Sequence, residues 1–171
     1  EDPASPIAGN AKDFDVTLVQ FFDYHCGYCK RLLPTIQELL KTDAKLRIVF
    51  KEFPILSEDS ELASKAAIAV FRLMPEKYFE FHSALMNAKG KFTEKDLVAA
   101  ARKVGVNENK FREELKNPAI AEELKKNHSL GEALGVRGTP AMVIGNEFIP
   151  GAASLDDLQE KKKKQRGGAA P

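Results

Sequence analysis

The sequence predicts an α/β domain interrupted by a long helical insertion. Two strand-like runs, at 16–22 and 46–50, flank a helical pattern. Helical periodicity then holds from about residue 59 to 134. A strand, a return strand and a last helix follow. The insertion of roughly 75 residues is longer than a simple crossover between parallel strands requires.

Taken in order, residues 1–13 read as an irregular lead-in, with Pro3, Pro6 and Gly9. The single domain is assigned to 14–165 and a frayed tail to 166–171. Residues 16–22 are rich in β-branched and aromatic side chains, the mark of a buried strand. Beyond Cys29, Leu32, Leu33, Ile36, Leu39 and Leu40 share one helical face, and Pro34 predicts a kink. In the insertion, Ala63, Ala66, Ala67, Val70, Phe71 and Met74 share a face, and Tyr78, Phe81, His82 and Leu85 recur at helical spacing. Thr93 with Asp96 is a capping box, Asn107 and Asn117-Pro118 are helix starts, and Gly135 is a helix stop. Residues 141–144 are strand-like, Gly145-Asn146 is a hairpin turn, and 147–149 return. Ser154 with Asp157 caps a last helix whose apolar face is expected to end after Leu158, because the lysine run 161–164 offers nothing to bury. That run reads as a solvated helix end.

Composition narrows the chemistry. The 171 residues carry a net charge of only +1, against the dominant basic face of a nucleic-acid binder. No apolar run approaches the ~18 residues needed to span a bilayer. Glu1 opens a polar stretch, which fits a mature exported chain and a cytosolic one alike. There are two cysteines, two residues apart. A disulfide scaffold needs more of them, and a structural zinc site needs a second ligand pair. The pair reads as chemistry.

Cys26-Gly27-Tyr28-Cys29 lies between a strand and a helix. Cys26 therefore falls at a helix N-terminus, where the dipole and free N–H groups stabilise a thiolate, the nucleophile of disulfide exchange. Cys26, not Cys29, is expected to be the exposed nucleophile with a depressed pKa. Cys29, a turn further in, is placed to resolve a mixed disulfide. Gly27 leaves the approach open, and Tyr28 sets an apolar ring beside the sulfur. The same thiolates also suit Cu(I), so a copper-binding or copper-relay protein stands as an alternative. A pure interaction module is a third reading. Gly138-Thr139-Pro140 precedes a strand, where proline is tolerated. Spacing alone reads Pro140 as a trans turn proline.

Together, residues 21–30 and 135–140 resemble the DsbA-like branch of the thioredoxin superfamily. Lys51-Glu52-Phe53-Pro54-Ile55-Leu56 and Ile149-Pro150-Gly151-Ala152 are similar, more narrowly, to bacterial ScsC-type proteins of copper-sensitivity suppression. The resemblance covers about residues 3–160. It implies a thioredoxin fold with a helical insertion and a protein thiol–disulfide oxidoreductase with no cofactor beyond its Cys26–Cys29 disulfide. It further implies periplasmic location, substrates that are exported proteins, and a membrane redox partner of the DsbB or DsbD type. Thr139-Pro140 matches the family's cis-proline loop, which binds substrate peptide. Oxidase, reductase and isomerase share this constellation, so direction stays open. The superfamily's buried acid six residues before the first cysteine is here Gln20. Relatives also carry an N-terminal oligomerisation segment. This chain is expected to be a monomer and a poor isomerase, while a full-length form could be a homo-oligomer.

Other residues take ordinary readings. His25 either stabilises the Cys26 thiolate or sits on the rim. His82 reads as a satisfied core histidine and His128 as solvated. Glu52 is either a buried acid or a solvated strand end.

Overall fold

A computed structural model describes residues 2–167. Its centre is a five-stranded sheet of β1 (Ile7–Gly9), β2 (Val16–Phe22), β3 (Leu46–Glu52), β4 (Ala141–Ile144) and β5 (Glu147–Pro150). The strand order is β1-β3-β2-β4-β5. β2 and β3 run parallel, joined through α1 (Gly27–Thr42), and the other neighbours are antiparallel. The insertion supplies α2 (Glu58–Leu73), a 3-10 turn (Pro75–Lys77), α3 (Tyr78–Asn87), α4 (Glu94–Lys103), α5 (Glu108–Glu114) and α6 (Pro118–Leu134). A final helix, α7, spans Leu155–Gly167. This is a thioredoxin fold with a helical insertion.

Alternation along β2 builds two cores. Val16, Leu18 and Phe22 join the larger one, with Leu32, Leu33, Ile36 and Leu39 of α1 and Ala63, Ala66 and Val70 of α2. Phe21 points the other way, to Phe53, Val136 and Ala141. Gly131 of α6 lets that side close. A Cβ there would sit 2.6 Å from the Phe53 ring. α1 runs unbroken through Pro34, which lies on its exposed side. The kink expected there does not end the helix. The caps at Thr93, Asn107 and Asn117 form as the residue types dictate, and Gly135 closes α6 with φ 75°.

Three expectations fail. Residues 7–9 of the lead-in are a strand, because they pair antiparallel with β3. The close approach of Gly9 to β3 requires glycine, since a Cβ would lie 2.4 Å from the Leu46 carbonyl oxygen. The lysine run is not simply solvated. Lys162 is buried against Asp43, and Lys161 and Lys164 pair with Glu147 of β5. Arg166 is no part of a frayed tail, for its guanidinium bridges Asp15 and Asp43. Residues 168–171 of that tail lie outside the described residues.

Candidate active site

β2 ends at Phe22 and α1 begins at Gly27, so the chain turns sharply over four residues. Asp23 shapes the turn. Its carbonyl accepts from Cys26 N–H at 3.1 Å, and its carboxylate accepts from His25 N–H at 2.8 Å. Cys26 thereby becomes the N-cap of α1, and its Sγ accepts from Cys29 N–H at 3.1 Å. Both cysteines are free thiols.

The two sulfurs are unlike. Hydrogen bonds from the Cys29 thiol, from Thr139 and from the Cys29 and Tyr28 backbone N–H groups hold the Cys26 thiol down to about 6, against its burial. The bond to Cys26, together with burial, pushes the Cys29 thiol far above the usual range. The expectation of an exposed Cys26 needs correction. It is 6% exposed and Cys29 1%, because the Thr139 carbonyl covers Cys26 Sγ at 3.3 Å. Tyr28 is the exposed member of the motif, at 62%, with the Arg31 guanidinium 4.4 Å over its ring. At Gly27 a Cβ would touch only the Arg31 side chain, at 3.6 Å, so space alone does not demand glycine.

The Thr139–Pro140 peptide bond is cis, unlike the reading from spacing alone. Behind this loop lies a cleft of about 310 Å³ lined by Gly138, Thr139, Pro140, Phe148 and Pro150. A larger cavity of about 710 Å³, at Ile7, Val49 and Phe71, contains neither cysteine.

His25 does not turn its Nε2 to the sulfur. That atom lies 2.5 Å from Asp59 Oδ2, and the ring is tilted against Phe92 at 5.0 Å. His82 is the satisfied core histidine expected, with Nδ1 3.0 Å from the Tyr24 hydroxyl and burial depressing its pKa to about 3. His128 is half-buried, its ring 4.7 Å from that of Phe53, so it is not simply solvated. Gln20 is buried, and its Oε1 has no hydrogen-bond partner.

Sequence reasoning left Glu52 open, and the structure decides it. Glu52 is fully buried at the end of β3, where Tyr24 and Tyr78 donate to Oε1 at 2.8 Å each. Burial pushes its carboxyl up to about 8. Sequence reasoning missed Asp23 and Lys30 altogether. Lys30 Nζ donates to the Met86 and Ala88 carbonyls at the end of α3, tying the first turn of α1 to the insertion. Their one sequence signal was adjacency to the cysteine motif.

A capped, thiolate-stabilising cysteine at a helix start, a second thiol one turn in, and a proline loop against the first sulfur define a thiol–disulfide oxidoreductase of the thioredoxin superfamily. Residues 17–162 match the DSBA-like thioredoxin domain, and the chain belongs to that family. It is similar to the crystal structure of a thioredoxin-like oxidoreductase from Silicibacter pomeroyi DSS-3, at 36% identity and TM-score 0.90, covering 99% of this chain and 95% of that one. A periplasmic thioredoxin-like protein from Salmonella enterica serovar Typhimurium matches at 32% identity and TM-score 0.86, covering 97% and 92%. The catalytic domain of Proteus mirabilis ScsC matches at 32% and TM-score 0.87, covering 97% and 91%. The protein exchanges thiols and disulfides with protein substrates. Among the described residues, no group of three or more His, Cys, Asp or Glu is placed to hold a metal ion.

Proposed function

We propose that the protein oxidises exported polypeptides in the periplasm, with Cys26 as the sulfur that the substrate attacks and Cys29 as the thiol released; in the reverse, reducing direction Cys26 would attack and Cys29 resolve. The observation that carries this is the asymmetry of the pair: Cys26 is capped by Cys29 N–H at 3.1 Å and titrates near 6, while Cys29 holds its proton. Stabilising the Cys26 thiolate stabilises the reduced protein, and that makes the disulfide the stronger oxidant. A substrate thiolate attacks Cys26 Sγ, the disulfide breaks, and Cys29 leaves with a proton. A second substrate thiolate attacks the substrate sulfur of the mixed disulfide and expels Cys26 as thiolate. The substrate gains one disulfide, the protein two electrons.

Gln20 has no proton to give, so Cys29 draws on another donor. Thr139, Pro140 and Tyr28 line the peptide site, with the Thr139 backbone pairing an extended substrate as an added strand does. Similarity to a periplasmic protein supports the location. A membrane redox protein of the DsbB or DsbD type would reset the pair.

Mixing the oxidised protein with a reduced dithiol peptide tests this. One peptide disulfide should form per protein, and neither Cys26→Ser nor Cys29→Ser should catalyse it. A peptide that stays reduced beside an equal amount of oxidised protein would refute the oxidising direction.

A further inference from the structure

We propose that the cavity of about 710 Å³ on the sheet face away from α1 binds a medium-chain fatty acid. The carboxylate would sit on the Lys51 ammonium and the alkyl tail on an apolar floor laid by β1, β3 and β2. The cavity contains neither cysteine, so the site is separate from the exchange chemistry.

Strand alternation builds the floor. Leu18 and Ile48 face the larger core with α1, so Val19 and Val49 face the other way. Ile7 stands opposite Val49, and Val49 opposite Val19. Three β-branched side chains thus form one row across three strands, and all three are only half-buried. The smaller core of Phe21, Phe53, Val136 and Ala141 fills this face only toward the catalytic end of β2. Farther from that end the row lines the cavity instead. Such a space suits water poorly, since an ordered water needs about two to four polar partners. Its volume falls in the range of roughly 300–1,000 Å³ typical of small-molecule sites, which have apolar walls and a few polar groups.

The polar end of the cavity names the head group. Lys51 lines it and is 7% exposed. A lysine is almost never so buried without a partner of opposite charge. Among the described residues Lys51 pairs with no carboxylate, and its Nζ donates to the Ser5 hydroxyl at 2.5 Å. Ser5 in turn donates to Glu123 Oε1 at 3.2 Å, so the acid is one hydroxyl removed. An ammonium has three N–H groups, which leaves two for a carboxylate entering from the cavity. Asp2, the one acid among the described lining residues, has its Oδ1 engaged by Ala4 N–H.

The far end of the floor sets the tail length. Arg47 lies there, its guanidinium 3.7 Å over the Phe14 ring and its Nε donating to Thr17. From Lys51 back to Arg47 the strand covers roughly 13 Å. At about 1.2 Å per bond of extended chain, that matches a tail of about ten carbons.

Titration of the protein with decanoate, followed by methyl NMR and calorimetry, tests the site. Binding should saturate at one molecule per chain and shift the Ile7, Val19 and Val49 methyl signals, with the Thr139 methyl unmoved. Decyltrimethylammonium has the same tail with the opposite charge, and acetate has the head without the tail. Each should bind at least about tenfold more weakly. Lys51→Met keeps an apolar stem, removes the ammonium and should weaken decanoate about tenfold or more. Val49→Phe fills the floor with Lys51 in place and should abolish binding. Equal affinity for the cationic amphiphile, or undiminished affinity in Lys51→Met, would overturn the head-group assignment. Equal affinity for acetate, or undiminished affinity in Val49→Phe, would overturn the tail site. Shifts at Thr139 with none along the valine row would move the ligand to the catalytic face and overturn the cavity. No saturable binding to wild type would overturn the whole proposal.

Discussion

Glu52 shows what burial does to one carboxyl. Its pKa rises to about 8 from the ordinary 4.5, chiefly through desolvation. Unfolded, it loses its proton near its ordinary value. Folded, it keeps the proton until about pH 8. Folding therefore takes up a proton in the window from about 4.5 to 8, and stability falls as pH rises through it. The slope is on the order of 1.4 kcal/mol per pH unit from this group. Glu52→Gln preserves an oxygen for the Tyr24 and Tyr78 hydroxyls and removes the ionisation. In urea unfolding, wild type should lose about 2–3 kcal/mol relative to the Gln variant between pH 5 and 7.5. Parallel pH profiles for the two proteins would show that Glu52 ionises normally in the fold. None of this was legible locally. The hydroxyls that hold Glu52 come from residues 28 and 26 positions away, Tyr24 from the turn after β2 and Tyr78 from the insertion as it folds back.

At the scale of elements, what was legible had a local cause. The β2 strand, the α1 face, the caps at Thr93, Asn107 and Asn117 and the Gly135 stop all follow from periodicity or from a residue type at one position. β1 was not legible, since three residues carry no readable alternation and become a strand only at the edge of β3. Lys162 was misread for a related reason. Its burial depends on Asp43, 119 positions away at the end of α1. The Lys162 and Asp43 side chains are 8% and 9% exposed, and Arg166 joins them at 2.9 Å. Burial opposes the Asp43 charge, yet the bonds from Arg166 and Lys162 hold its pKa below the usual carboxylate range. The two halves of this latch are unequal. Asp43→Asn leaves Lys162 buried without its counter-ion and should cost about 3 kcal/mol. Lys162→Met leaves Asp43 with Arg166 and should cost less than about 1.5 kcal/mol. Chemical denaturation of both variants checks the order, and a larger loss for Lys162→Met would contradict the arrangement.

Over the whole molecule, the strands and helices converge on one sulfur. The parallel β2–α1–β3 unit puts Cys26 at a helix start, β4 carries the loop that brings Thr139 over it, and Lys30 locks the first turn of α1 to the insertion. The motif itself was plain in the sequence. The depth of Cys26 was not, because Thr139 lies 113 positions away and covers it only in the fold. The quantity that sums these effects is the proton affinity of Cys26. Site-mapped iodoacetamide labelling of the reduced protein between pH 4 and 10 measures it. Labelling should fall on Cys26 with a midpoint near 6, and Cys29 should stay unmodified across the range. A midpoint near the ordinary thiol value of about 8.5, or labelling of Cys29 ahead of Cys26, would contradict it.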